Sequence, residues 1–424
     1  MMPNGKWAVI LGNGYNNTNS GQAALYVLFI DKGMDGQWTD GSLDNKGQST
    51  TIDYIKIVAP TDSDAIVNKD CTATGSNCNG LSTPQPYSTQ DNGVTDRIYA
   101  GDLKGNLWAF DVSDLDPTNW RVASCPKSGT GRDARANCQK NNIKPLFTAT
   151  QHSASQPNGK NPMQVNSKPQ PITSRPAVVD NANVKVASFP NLLIAFGTGQ
   201  YLVADDPTTN DIQSYYGVWD HGVYGLTPAN LIEQTFLPGP FYAENSTQPL
   251  DPTPRVLSKN LIAYQDSNRK TDQGWFINFD PKYTKVDRER MVVDPDVLQG
   301  RYLFFNTWIP GLTSKSTNAC STSGSAGGTG YLMNVDLFTG SGTPQPVVDV
   351  NNDGLVDESD KVAQNKNSYT VSGVAFGQGL PASSNFFNGN LYTAGTDSAT
   401  DGMDKKPVKI GNPIARMSWQ ELNN

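Results

Sequence analysis

The stretch Arg97-Ile-Tyr-Ala-Gly-Asp-Leu-Lys-Gly-Asn-Leu-Trp-Ala-Phe-Asp111 decides the fold class. Two alternating strands flank a turn around Asp102 to Asn106, the signature of a β-hairpin. The same unit recurs: an apolar strand, a Gly-containing turn, and an aromatic-rich strand that closes on Asp. It appears as Ala8 to Gly14 followed by Leu25 to Asp31, as Leu193 to Gly199 with Tyr215 to Asp220, and as Gly274 to Asp280 and Gly330 to Asp336. The intervals between the closing Asp residues are unequal. Four-stranded blades of a β-propeller give this kind of irregular signature, whereas a β-sandwich, the alternative, gives shorter and more even spacing.

Composition points the same way. The 424 residues carry 33 Lys+Arg against 40 Asp+Glu, with 39 Gly, 28 Pro and only two His. Charged residues are 17% of the chain, and small polar residues are abundant. Long amphipathic helices need Ala, Leu, Glu and Lys, so many short strands joined by loops are expected instead. A pI near 4.9 without a basic run gives no footprint for a phosphate backbone, so nucleic acid is excluded as a partner. No apolar run reaches the length of a membrane span. Polar segments at 36–53, 61–92, 124–170, 240–273, 312–329 and 395–407 read as long rim loops, and 230–235 as one short helical turn.

Five cysteines stand at 71, 78, 125, 138 and 320, none in a C-x-x-C. Two local bridges, Cys71 with Cys78 and Cys125 with Cys138, are the economical pairing and leave Cys320 over; five reduced thiols are the alternative. The N-terminus shows no signal-peptide pattern. The chain is therefore either cytoplasmic or an N-terminally truncated piece of an exported protein.

The most specific chemistry lies at 349–360. Asp349, Asn351, Asp353 and Asp357 place side-chain oxygens at loop positions 1, 3, 5 and 9, with the carbonyl of Leu355 at position 7 and Gly354 at the sharp turn. That spacing wraps a chain around one hard cation, and three carboxylates with an amide suit Ca2+ better than magnesium. Asp360 at position 12 is shorter than the usual Glu and reaches the ion only if a helical turn follows. A weaker copy, Ser88 to Asp96, keeps one carboxylate in register and is expected to be a metal-free turn.

Catalytic constellations are otherwise missing. Gly12-x-Gly14 and Gly197-x-Gly199 lack the third glycine of a dinucleotide fingerprint and read as turns. Gly5-Lys6 and Gly159-Lys160 lack the Ser or Thr of a phosphate loop. His152 reads as a solvent-exposed loop residue and His221 as a turn residue, not as general bases.

Taken together, Gly5 to Tyr15, Tyr99 to Trp108, Gln170 to Pro176, Phe196 to Leu202 and Arg416 to Leu422 resemble the C-terminal propeller of PilY-type type IV pilus proteins. The resemblance spans the chain. It implies an all-β, modified and incomplete quinoprotein-like propeller over 1–424, with inserted loops and the calcium loop at 349–360. Its calcium ligands carry over to Asp349, Asn351, Asp353, Leu355 and Asp357. The implied role is non-enzymatic: an exported, pilus-associated assembly and adhesion module whose calcium occupancy regulates extension against retraction. Its partners would be pilins, other pilus assembly components and a host-cell or surface ligand. The family also has an N-terminal region and further blades ahead of the position matching Gly5, and an acidic motif where 88–96 has lost most of its charge. Two rivals share the architecture. A quinone-cofactor dehydrogenase would need a central cavity, an axial calcium and a catalytic Asp, and this chain lacks the adjacent cysteines many such enzymes use. A carbohydrate-binding propeller would use aromatic residues such as Trp38 and Trp120 near polar loops.

Overall fold

A computed structural model describes residues 1–15, 21–31, 38–41, 51–59, 78–125, 143–152, 164–184, 190–203, 205–243, 246–264, 271–311, 327–377, 379–396 and 403–410. Within them, five main sheets, antiparallel but for one strand, follow one another along the chain, beside two smaller ones. The first comprises Ala8–Gly12, Ala23–Phe29 and Tyr54–Ala59. The second runs Gln85–Tyr87, Arg97–Gly101, Asn106–Asp111 and Arg121–Val122, with Phe147–Thr148 also on Asn106–Asp111. The third runs Ala177–Asp180, Leu192–Gly197, Ser214–Asp220 and Gly274–Asn278, extended by the parallel strand Ile232–Gln234. The fourth runs Asp296–Leu298, Tyr302–Asn306, Gly328–Asp336 and Gly373–Phe376. The fifth is Asn385–Phe387, Asn390–Ala394 and Met403–Pro407.

Each hydrophobic core lies between two consecutive sheets. Leu25, Val27 and Phe29 of the first meet Ile98, Trp108 and Phe110 of the second. Tyr99, Leu107 and Ala109, on the opposite face of the second sheet, meet Ile194, Phe196 and Tyr216 of the third. Leu193, Tyr215 and Trp275 then meet Leu303, Phe305 and Val335 of the fourth, and Phe304, Leu332 and Val374 meet Leu391 and Val408 beyond it. Because side chains alternate across a strand, each inner sheet serves two cores, and its central strands are buried on both faces. This is blade-on-blade packing. Among the described residues no strand pairing or hydrophobic cluster joins the fifth sheet to the first, so the series is not closed. The outward face of the first sheet is correspondingly apolar and open, with Trp7 67%, Val9 47% and Leu11 46% exposed.

Trp275 shows how tightly the third sheet meets its neighbour. Its ring is wholly buried, its Nε1 donates to the Leu337 carbonyl at 2.7 Å, and Gly217 and Gly340 lie against it. A Cβ at Gly217 would lie 2.4 Å from the ring. Gly217→Ala is therefore expected to destabilise the fold by about 1–3 kcal/mol through overpacking. A lower denaturant midpoint at unchanged m-value is the expected reading.

Four expectations change. The units ending at Asp220 and Asp280 are not separate blades, since Ser214–Asp220 and Gly274–Asn278 pair directly in one sheet. The signature marks strands, and pairing across a long excursion decides which share a blade. The turn expected at 230–235 is a 3-10 turn at Pro228–Asn230, and Ile232–Gln234 is a strand because it finds an edge on Gly274–Asn278. Parts of the polar segments are strands as well: Met403–Pro407 completes the fifth sheet, and Tyr242–Ala243 pairs with Val362–Gln364, whose other neighbour is Asn367–Tyr369. His152 closes the short strand Thr150–His152 instead of standing in a loop, because it pairs with Gln164.

Candidate metal-binding loop

The loop 349–360 sits in an excursion that leaves the fourth sheet after Asp336 and returns at Gly373. A second excursion, leaving the third sheet after Gln234 and returning at Gly274, meets it through the pairing of Tyr242–Ala243 with Val362–Gln364. The fifth sheet supplies a further wall. The Asp349 amide donates to the Pro407 carbonyl at 3.2 Å, the Lys409 amide donates to the Val347 carbonyl at 3.1 Å, and Val348 bridges Val408. Three parts of the fold thus converge on this loop.

Locally, the loop is shaped by Asp and Asn side chains that accept from nearby backbone amides, as these residues do in turns. Asp349 Oδ1 accepts from the Asn352 amide at 2.6 Å and Oδ2 from the Gly354 amide at 2.9 Å. Asn351 Oδ1 accepts from the Asp353 amide at 3.0 Å, and Asp353 Oδ1 from the Leu355 amide at 2.8 Å. Asn352 and Gly354 both take positive φ, +61° and +85°, which Asn tolerates and Gly takes freely. Asp357 then caps a 3-10 turn, Glu358–Asp360, accepting from the amide and hydroxyl of Ser359 at 2.8 and 2.7 Å.

The acids differ in setting. Asp353 and Asp357 are exposed, and the Ser359 hydrogen bonds hold the Asp357 carboxyl below the ordinary carboxylate value. Leu355 is 63% exposed, so it offers its backbone and not its side chain. Asp349 and Asp360 are both buried, and among the described residues no Lys or Arg forms an ion pair with either. Burial pushes the Asp360 carboxyl up; three amide donors oppose that, and the nearby Asp349 charge adds to it. Lys406, from the fifth sheet, donates to Asn352 Oδ1 at 3.1 Å.

The donor set is all oxygen, at alternate positions, on a loop with two buried acids that form no ion pair among the described residues. It fits a hard divalent cation. The described residues hold no preformed cluster of three His, Cys, Asp or Glu, so Asp349, Asp353 and Asp357 are brought onto one loop but not gathered around one point. Asn351 and Asp353 do touch, through Asn351 Nδ2 and Asp353 Oδ2 at 3.1 Å.

The weaker copy is satisfied internally. Asp96 is buried and accepts from the amide and hydroxyl of Thr89, while Asn92 Oδ1 accepts from Ser88 Oγ and the Val94 amide. Gly12-Asn13-Gly14 is a structural clamp: Asn13 Oδ1 accepts from the amides of Ala24 and Leu81. His221 stacks on Trp219 and bonds Gln273 at 2.6 Å. Trp38 is exposed, but Trp120 is fully buried with Nε1 on the Asp114 carbonyl, so it is not available to stack on a sugar. Cys78 and Cys125 are disulfide-bonded, whereas Cys71, Cys138, Cys320, Gly159-Lys160 and the stretch Arg416 to Leu422 lie outside the described residues.

A buried polar cluster escaped the sequence reading. Arg255, in the excursion from the third sheet, forms a two-pronged ion pair with Glu289 at 2.5 and 2.6 Å. Its guanidinium also lies 3.5 Å from the Tyr331 ring centroid. No local pattern announces a pair 34 residues apart.

Comparison with known proteins extends the reading. A family model described as the PilY1 beta-propeller domain matches residues 38–236. A type IV pilus biogenesis factor PilY1 homolog of Xylella fastidiosa is 28% identical over 339 residues, covering 80% of this chain and 18% of that protein. The type IV pilus biogenesis factor PilY1 of Pseudomonas aeruginosa PAO1 is 27% identical over 387 residues, covering 87% of this chain and 27% of that protein. The chain thus spans roughly a fifth to a quarter of the length of these relatives. The crystal structure of the P. aeruginosa PilY1 C-terminal domain superposes with a TM-score of 0.62 at 24% identity, covering 96% of this chain and 71% of that one. The family-model match over 38–236, these relatives and the shared fold make the chain similar to PilY1 proteins in their β-propeller region, in keeping with successive blades packed face to face.

Proposed function

We propose that this chain is a non-enzymatic, calcium-binding module of type IV pilus assembly and adhesion, in which calcium occupancy regulates pilus extension against retraction. The observation that carries the calcium reading is the burial of two neighbouring acids of one loop, Asp349 and Asp360, neither of which forms an ion pair with Lys or Arg among the described residues. Asp349, Asn351, Asp353, Asp357 and the Leu355 carbonyl would hold the ion. Bound calcium supplies a compact positive charge that balances the acids and fixes the loop. The loop's own residues set its curvature, through the positive φ of Asn352 and Gly354 and the amide bonds to Asp349.

The pilus reading rests on the family, whose named relatives are type IV pilus biogenesis factors. Pilins and other assembly components are the proposed partners, with a host-cell or surface ligand for adhesion. Export to the pilus-bearing surface accords with the disulfide-bonded Cys78 and Cys125, since such bonds persist in oxidising compartments.

Calorimetric titration of calcium into the purified chain is expected to show one saturable site. Asp353→Ala should weaken it by at least about tenfold by removing one carboxylate ligand. Absence of any calorimetric or thermal response in the unmodified chain would overturn the metal reading. For regulation, a strain carrying Asp349→Ala with Asp353→Ala should lose twitching motility; retained motility would remove the regulatory role alone.

A further inference from the structure

Asp360 occupies the loop position where a long Glu would chelate the ion, yet its surroundings are those of a strut. It is 1% exposed, and both carboxylate oxygens face backbone amides. Oδ1 accepts from Val350 at 2.6 Å and Asn351 at 3.3 Å, and Oδ2 accepts from Asp357 at 2.8 Å. The Val350 and Asn351 amides lie at the start of the loop and Asp357 at its end. One side chain therefore ties the two ends together across the turn, from the side facing the core that holds Val347, Val348, Val362 and Val408.

The 3-10 turn Glu358–Asp360 is what aims the carboxylate this way. Asp357 and Asp360 form a reciprocal capping box, each side chain accepting at the other end of the turn. By its spacing Asp360 is only a conditional ligand, reaching the ion if a helical turn follows it. Here the turn begins at Asp357, and it returns Asp360 to the amides of its own loop.

We infer that Asp360 is a positioning residue and not a calcium ligand: it ties the two ends of the 349–357 loop together, so that Asp349, Asn351, Asp353, Asp357 and the Leu355 carbonyl, carried on one constrained loop, can close on one cation. This inference rests on the calcium reading above. It assigns the loop five protein ligands and leaves the remaining positions of a 6–8-coordinate ion to water. It also predicts distinct behaviour for two of the loop's acids: loss of the Asp353 carboxylate removes a ligand from an intact loop, whereas loss of Asp360 leaves every ligand in place on a loop whose ends are no longer tied.

The test uses the full chain, with calcium titration by calorimetry, europium luminescence lifetimes to count waters on the bound ion, and thermal melting without metal. Asp360→Asn keeps the shape but turns an amide NH2 toward amide donors. It is expected to weaken calcium binding by about 10–100-fold, the usual cost of removing an outer-shell partner, with no added water on europium and a lower metal-free melting temperature. Asp353→Ala should weaken binding, add about one water as a ligand is lost, and lower the metal-free melting temperature less than Asp360→Asn does. An added water in Asp360→Asn would make Asp360 a ligand and overturn the inference, as would calcium affinity equal to that of the unmodified chain. Should Asp360→Asn fail to fold, the unmodified chain decides alone. With Asp360 off the ion, bound europium keeps roughly two or more waters, and a fully dehydrated ion would overturn the inference. Calcium binding that is present with Asp360 coordinating defeats this inference only; absent calcium binding defeats the calcium reading and this inference together.

Discussion

Glu289→Ala is expected to destabilise the fold by about 3–5 kcal/mol, the largest effect of any single substitution proposed for this chain. Glu289 is wholly buried, and Arg255 is 6% exposed. Removing the carboxylate strands a guanidinium that also lies over the rings of Tyr331 and Phe236. The cost comes from an unpaired charge in a poorly polarisable site and not from the attraction itself. Replacing both partners should cost less: Arg255→Met with Glu289→Leu is expected to recover much of the loss, because two desolvated charges disappear together. Urea unfolding of both variants separates the cases. Equal destabilisation of the single and double variants would show that packing, not charge burial, dominates here.

The pair also has an architectural consequence. Arg255 exchanges backbone hydrogen bonds with the fourth sheet, donating to the Gly373 carbonyl at 2.8 Å and accepting from the Ser372 amide at 2.7 Å. Glu289 lies in the connection between the third and fourth sheets. The backbone bonds thus pin the third sheet's excursion to the strand that follows the metal-binding excursion, and the ion pair ties it to the connection that carries Glu289.

Asp102→Ala is expected to cost about 3 kcal/mol or more, since several buried donors would lose their acceptor at once. Asp102 is fully buried in the hairpin turn of the second sheet. It accepts from Asn79 Nδ2 at 2.9 Å, Trp108 Nε1 at 2.8 Å, Asn106 Nδ2 at 3.0 Å, and the amides of Lys104 and Asn106 at 2.9 and 2.8 Å. Burial pushes its carboxyl up, while the Trp108, Asn79 and Asn106 donors oppose the shift. Asp102→Asn, which retains one acceptor oxygen, should fall between wild type and alanine in a denaturation series. An unfolding free energy for Asp102→Ala within about 0.5 kcal/mol of wild type would mean that water reaches these donors and that the hub is not structural.

Asp102 also shows how far the sequence could be read. The turn from Asp102 to Asn106 was visible, because hairpin chemistry is local. That the Asp is a hub for Asn79 and Trp108 was not, because Asn79 arrives from a loop 23 residues away. The strands of the repeated signature were equally legible, since apolar runs closing on Asp need only neighbours in sequence. Their grouping into blades was not: Ser214–Asp220 reaches Gly274–Asn278 across an excursion, and only the register of the pair makes them one sheet. The same holds for Met403–Pro407, polar enough to read as loop, which becomes a strand because Asn390–Ala394 offers it an edge.

At the candidate site the division is similar. Spacing alone placed Asp349, Asn351, Asp353, Leu355 and Asp357 on one loop with Gly354 at its turn, because side-chain reach and φ are properties of adjacent residues. The sequence by itself therefore determined the strand content, the class of architecture and the chemistry of the loop. The tertiary structure decided which strands share a blade, that both excursions and the fifth sheet converge on the loop, and that Asp349 and Asp360 are buried together while Asp353 and Asp357 face solvent. Burial and long-range pairing depend on what the rest of the chain brings alongside, and that sets the charge balance of the site.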